Sequence, residues 1–379
     1  MNESREVITV LQYIGGLGLG GTQSFVMDLY RAIDKKKIQF DFIVNKGERN
    51  SPYYNEILAM GGKIYECPKF KGSNFLTFIK WWNSFFSKHK EYKILHSHIR
   101  GSASIFLPIA HKYKITTIEH SHSTSNGTGM KAFIKDVMQL PVRYEADYLF
   151  ACSEKAGEWL YGKNVKNRRN FYVIRNSIDA SKYAYSIDKR NQVKRKLGIN
   201  NEFVVGFVGR VMQPKNPLFA IEVFYSFHNM VPDSKMLFVG DGNMLDDVKQ
   251  KAKEFDIEQN IIFTGAREDV NDLLQAMDCY IFPSLWEGLG ISLVEAQASG
   301  LRSYCSENIP DEAIVTDLVK RIRISSGAQV WAETIKKGMH YVRRVTTENI
   351  IKARYDVKQN ASFMTAFYKK ISNNSRNNR

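Results

Sequence analysis

DCYIFPSLWEGLGISLVEAQASG, Asp278 to Gly300, is the stretch that decides the fold class. It begins with a short apolar run, Cys279 to Phe282, of the kind a buried strand shows, which Pro283 and Ser284 then break. A loop bearing Glu287, Gly288 and Gly290 follows. Apolar positions resume at helical spacing through Ile291, Leu293, Val294, Ala296 and Ala298 until Gly300 ends the run. A strand, a glycine-bearing loop and a helix in that order mark the carboxyl end of a strand in a parallel sheet, where open α/β folds bind ligands. The loop glycines let backbone N–H groups approach an anion, and the helix N-terminus adds partial positive charge. Glu287 in the loop and Glu295 on the helix put two carboxylates beside that turn. A ligand both anionic and rich in hydroxyls, such as a nucleotide sugar, suits the combination.

Glu287 and Glu295 form an E-x7-E pair inside FPSLWEGLGISLVEAQASG. Together with the strand, both glycines and the alanine-rich helix, the segment resembles the signature of the retaining glycosyltransferases of the GT-B fold, the large family 4 group. The resemblance implies an α/β protein of two Rossmann-like domains facing across a cleft, with a C-terminal helix crossing back to the first domain. It implies that Glu295 holds the ribose hydroxyls and that Glu287 lies near the donor sugar. Backbone N–H groups of Gly288, Leu289, Gly290 and Ile291 would cap sugar and phosphate. The family's proline two residues after Gly300 is Arg302 here.

Upstream, FVVGFVGRVMQPKNP opens the second domain. Phe203 to Val208 reads as a buried strand, Gly209 as a turn, and Arg210 and Lys215 as two cations on the loop before the next helix. Their spacing resembles the family's diphosphate-binding Arg and Lys; taken alone, they read equally as a solvated basic loop. A leaving diphosphate gathers negative charge as the glycosidic bond breaks, and fixed cations stabilise that charge more in the transition state than in the ground state. They can replace a divalent metal, which suits a chain lacking a D-x-D signature, so neither a metal site nor a cofactor is expected. Met236 to Gly240 and Ile261 to Gly265 read as the next strands. The resemblance puts Gly242 near the donor, and Ala266 and Arg267 where relatives hold the base, largely through backbone atoms. Ser303 to Ser306 is the last strand expected, with a helix over 328–340.

The first domain starts with a strand over Val7 to Ile14, the loop GGLGLGGTQSF and a helix through Val26, Leu29, Tyr30 and Ile33. This is a Rossmann-type opening without the G-x-G-x-x-G spacing, so dinucleotide binding is the weaker expectation. The resemblance places Gly20 and Gly21 against donor phosphates and acceptor; a tight turn is the plainer account. Further strands read over Phe40 to Val44, Lys63 to Tyr65, Ile94 to His98, Thr116 to His122, Ala146 to Cys152 and Phe171 to Ile174. Four of the eight histidines, His96, His98, His120 and His122, fall at two strand ends; a metal cluster is the competing reading, which no acidic partner pattern supports. The family has a histidine lining the cleft near the sugar, and His120 matches it by register, with His122 close behind; imidazole is a suitable proton handler at neutral pH. Between Lys69 and Lys93, aromatics at helical spacing are interleaved with lysines. A helix packed on the sheet is the simpler account, and a helix resting on anionic lipid the sharper one.

At 379 residues the chain has room for two cores. Domains are expected over 1–185 (acceptor side) and 200–345 (donor binding), with crossing helices over 346–371 and an unstructured tail over 372–379. Hydrophobic content of 44% and charged content of 25% are those of a globular protein. Lys+Arg number 54 against 39 Asp+Glu, and the net charge of +15 favours an anionic partner. The four cysteines are scattered without a C-x-x-C pair, which argues against a zinc ribbon or disulfide framework. Neither a signal peptide nor a span of roughly 20 apolar residues is visible. The expectation is a cytoplasmic enzyme, with a peripheral place on the inner face of the cytoplasmic membrane as a further reading.

These readings combine into a metal-independent transferase moving a sugar from a nucleotide-sugar donor, in the first place a UDP-sugar, to a saccharide or polyprenyl-linked acceptor. The overall pattern resembles bacterial exopolysaccharide and capsule enzymes. A sugar-nucleotide epimerase or phosphorylase would share the fold and cleft. A non-catalytic nucleic-acid-binding protein is the more distant alternative, disfavoured because the cations are spread along the chain outside residues 69–93.

Overall fold

The structure is a computed structural model that describes residues 7–18, 20–122 and 130–377. The chain divides into two compact units, residues 1–177 with 357–379 and residues 178–356. In the first, seven parallel strands, β1 (Ile8–Gly15), β2 (Ile38–Asn45), β3 (Ile64–Cys67), β4 (Ile94–Ser97), β5 (Thr116–Ser121), β6 (Tyr148–Ala151) and β7 (Phe171–Val173), lie in the order β3-β2-β1-β4-β5-β6-β7. In the second, β8 (Phe203–Val208), β9 (Ser234–Val239), β10 (Ile261–Gly265), β11 (Cys279–Phe282), β12 (Arg302–Ser306) and β13 (Val319–Ile322) lie in the order β10-β9-β8-β11-β12-β13. Each order reverses beside its first strand, between β1 and β4 and between β8 and β11. Those crevices are where doubly wound sheets take ligands.

The continuous apolar strands are explained by helices on both sheet faces. All four residues of β11 are buried. In the first unit the helix Phe75–Lys88 sinks Phe78, Trp82, Phe85 and Phe86 into the core, Trp82 stacking on Phe106 at 4.9 Å. Its aromatic stripe is therefore core, and of its large apolar residues only Phe75 and Leu76 stay exposed. On the opposite face, Ala361, Met364, Phe367, Tyr368 and Ile371 of the helix Val357–Asn377 join Val10, Phe25, Phe40 and Phe150 in one cluster.

Three expectations change. The units part at Ser177/Ile178, ahead of the expected 185–200, because the helix Ile187–Lys196 belongs to the second unit. Arg190 on that helix donates to Asp278 at 2.6 Å, and Asp278 also accepts from Val204 N at 2.8 Å. Ser303–Ser306 is not the last strand: β13 follows it, hidden in the sequence because Lys320 and Arg321 are exposed on an edge strand where charge deters further pairing. The final helix runs to Asn377, so the tail expected over 372–379 is helical for most of its length, and 378–379 lie outside the described residues. No helix among the described residues is long and apolar enough to cross a membrane.

Candidate active site

In the second unit, the loops leaving β8, β9, β10 and β11 are knitted together by their backbones. Gly209 N donates to Val239 O at 3.0 Å, Val211 N to Asp241 O at 2.9 Å, Gly240 N to Gly265 O at 2.9 Å and Leu285 N to Pro214 O at 2.8 Å. Gly242 is there because nothing larger fits: a Cβ would lie 2.3 Å from Val211 O.

At the crevice between β8 and β11, Lys215 lays its stem against Gly209 and its ammonium 4.9 Å from the centre of the Phe282 ring. Its Nζ donates to Glu287 Oε1 at 2.5 Å. The two side chains are only 19% and 11% exposed, so the pair is better shielded than a surface ion pair and worth correspondingly more if one partner is lost. Gly290 precedes the helix Ile291–Ala298 at φ +87°, a conformation glycine reaches without strain. No side chain caps that helix, and in its first turn Leu293 N donates to Gly290 O at 2.9 Å. Gly288, Leu289 and Ile291 complete the same turn, Leu289 being buried.

Glu295 stands one turn into the helix, and its Oε1 accepts from Tyr183 OH at 3.0 Å. Tyr280 on β11 is fully buried and donates to Val208 O at 3.1 Å. Burial drives its hydroxyl well above the usual phenol range, and the charges of Glu295 and Glu287 push the same way, so it stays protonated. Arg210 is exposed on the loop after β8, its carbonyl accepting from Met212 N at 2.9 Å. Ala266 and Arg267 are exposed after β10, with the Arg267 guanidinium held by Asp269 at 2.8 and 2.7 Å. Thus Lys215, Glu287 and Glu295 are brought into one neighbourhood, with Arg210, Gly242, Ala266 and Arg267 on the surrounding loops of the same sheet edge.

Gly20, Gly21 and His120 belong to the first unit. Gly20 precedes the helix Gly21–Ala32, and a Cβ at Gly21 would meet nothing within 4 Å. His120 is wholly buried rather than lining an open edge: its ring packs 4.1 Å from His122, 5.3 Å from Phe25 and 5.8 Å from Phe150. His122, half-buried, is the histidine of the pair with solvent access. Sequence reasoning missed Tyr183 and Tyr280, which no spacing relates to Glu295, and Gln12 and Asn176, whose side chains meet His98 and His122.

Two open parallel sheets in Rossmann order, the second with a lysine–carboxylate pair at its strand-order reversal, define a GT-B glycosyltransferase. Residues 19–182 match the family model described as Glycosyltransferase Family 4, and residues 189–352 the model described as Glycosyl transferases group 1. The protein EpsF of Bacillus subtilis (strain 168), classed as a glycosyltransferase, is 31% identical over 97% of this chain and 97% of its own. The chain belongs to this family 4, group 1 of glycosyltransferases, enzymes that use nucleotide-sugar substrates. A galactosyltransferase of Escherichia coli, named for UDP-Gal and α-D-GlcNAc-diphosphoundecaprenol, is 36% identical over 34% of each chain. Anabaena HepE, solved in complex with UDP and glucose, superposes with a TM-score of 0.73 over 97% of this chain and 99% of its own at 16% identity, which bears on the fold alone.

Proposed function

We propose that the protein is a retaining glycosyltransferase that takes a sugar from UDP and passes it to a hydroxyl of a polyprenyl-linked saccharide during polysaccharide assembly. The observation that carries the donor half is the Lys215–Glu287 pair at the β8/β11 crevice, with Glu295 on the helix behind it. Lys215 and Arg210 take the two phosphates and neutralise the charge that collects as the glycosidic bond breaks. Glu295 accepts from both ribose hydroxyls, and Glu287 from hydroxyls of the sugar. The N–H groups of Gly288 to Ile291 approach sugar and phosphate, and the open backbone at Gly20 and Gly21 leaves room for donor phosphate or acceptor. His122, stacked on His120 and the half-buried member of the pair, is the candidate proton handler. UDP as the carrier and a diphosphate-linked lipid acceptor are both supported by the name of the Escherichia coli relative.

An anionic membrane surface fits a patch other than the helix Phe75–Lys88. Met130, Val137, Leu140 and Tyr144 are exposed together with Arg143 nearby, and the Arg168 guanidinium lies 5.5 Å from the centre of the Tyr144 ring. A thermal-shift screen with UDP, GDP and ADP tests the donor, since a ligand of the native state raises Tm. UDP should give the largest rise, and equal shifts from all three would remove the uridine assignment. Turnover of a UDP-sugar with no acceptor present would favour an epimerase instead.

A further inference from the structure

Four histidines meet at the carboxyl end of the first sheet's central strands, and the strand register explains why. Gln12 of β1 pairs with His96 of β4, His96 with Ile118 of β5, and His120 with Phe150 of β6. Side chains alternate along a strand, so Gln12, His96, His98, His120 and His122 all project from one face of the sheet. Their rings form a pile: His96 to His98 4.5 Å, His98 to His120 5.4 Å, His96 to His120 5.5 Å and His98 to His122 5.0 Å between centroids.

The hydrogen bonding of this pile is incomplete in an informative way. His98 Nε2 lies 3.0 Å from Gln12 Oε1, and His122 Nδ1 lies 3.2 Å from Asn176 Oδ1. His98 Nδ1 and His122 Nε2 lie 2.8 Å apart, a hydrogen bond whose donor is set by the tautomers. His96 Nδ1 is occupied by Tyr368 OH at 2.7 Å, while His96 Nε2 and both ring nitrogens of His120 are sealed from solvent without a hydrogen-bond partner among the described residues. The backbone at Ile174 approaches His120, but without the geometry of a hydrogen bond. A buried nitrogen without a partner is costly, and orphans gathered in one place ask for an ion or a water.

One ring nitrogen from each of His96, His98 and His120 lies within 4.8 Å of the other two. Ligands at about 2.0–2.1 Å from a tetrahedral zinc stand about 3.3 Å apart, so modest ring rotations would close the set and would also open the His98–His122 contact. The outer contacts can serve as a second shell: with Tyr368 OH accepting from His96 Nδ1 and Gln12 Oε1 accepting from His98 Nε2, the opposite nitrogens face the centre unprotonated. We propose that His96, His98 and His120, with His122 as fourth ligand, bind a borderline divalent transition-metal ion, zinc first among them. Imidazole suits Zn²⁺, Co²⁺ and Ni²⁺ and not Mg²⁺, so the site is separate in chemistry from a metal on the donor diphosphate. It also competes with transfer, because a bound ion ties down His120 and His122; zinc would therefore inhibit.

The test uses the full-length, tag-free protein after chelation, titrated with Co²⁺, whose tetrahedral complexes absorb strongly in the visible. The site calls for one cobalt per chain, an intense visible band and bleaching by Zn²⁺. His96→Gln should abolish the band, Tyr368→Phe should weaken Co²⁺ binding by about 10–100-fold, and His340→Gln, on an exposed histidine, should leave it unchanged. Tyr368→Phe conserves the packed ring and decides the matter if His96→Gln fails to fold. Absence of a tetrahedral band in the wild type, or equal bands in wild type, His96→Gln and Tyr368→Phe, would overturn the site and leave the histidines as a stack bridged by water.

Discussion

Glu295 is held by Tyr183 at 3.0 Å, so replacing it removes a carboxylate that already has a fixed orientation. Glu295→Ala should raise the donor KM strongly with a smaller change in kcat, and Tyr183→Phe should move KM the same way by less, both read from steady-state kinetics. Unchanged donor kinetics in Glu295→Ala would remove the ribose role. Lys215→Ala should lower kcat by about 10²–10³-fold, the range for losing one transition-state donor, and Arg210→Ala should lower it too. Full activity in Arg210→Ala would mean the diphosphate is gripped elsewhere. Glu287, Glu295 and Lys215 were legible in the sequence because each sits at a fixed offset from a buried strand and a glycine. The partners were not. Tyr183 lies 112 positions from Glu295, and only the folded second unit brings them together. Nor was the burial of His120 legible: nearly all of β5 is buried, on both faces, so no alternation marks which end residue opens to solvent.

Among elements, the helix Phe75–Lys88 had two readings on sequence, since lysines among aromatics suit a core face and a lipid face equally. Packing settles it. Trp82→Ala should destabilise the protein by about 3–5 kcal/mol in denaturant unfolding, while Leu76→Glu should cost almost nothing and leave vesicle binding intact. Binding to vesicles containing anionic lipid should instead fall in Leu140→Glu and Tyr144→Glu; equal binding by wild type and both variants would remove the patch proposed here. The loop elements of the second unit were legible as glycine-bearing turns, but their mutual contacts were not, because backbone bonds between loops have no side-chain signature. Gly242→Ala tests them: a Cβ driven into Val211 O should cost about 1–3 kcal/mol and weaken UDP binding together. Strand β13 stayed hidden because charge, the usual mark of a loop, here marks an edge.

For the whole molecule, the proposal that cations hold the diphosphate in place of a metal requires transfer to persist in EDTA; loss of activity restored by Mn²⁺ would contradict it. The two-unit plan was legible from two strand–glycine–helix openings separated by a charged connector, but the seam between the units was displaced because helix Ile187–Lys196 packs by its tie to Asp278 rather than by its place in the chain. The return of the last helix has a consequence for how the protein is made. Ala361 to Ile371 complete the core of the unit that begins at the N-terminus, while Ile178 and Asp356 lie side by side, with Ile178 N donating to Tyr355 O at 2.9 Å. In effect residues 178–356 are spliced into a host whose own hydrophobic interior waits for residues made after them. A ribosome therefore releases a finished guest before its host, and a nascent chain stopped at residue 356 should carry a sound second unit tethered to a sticky, chaperone-bound first one.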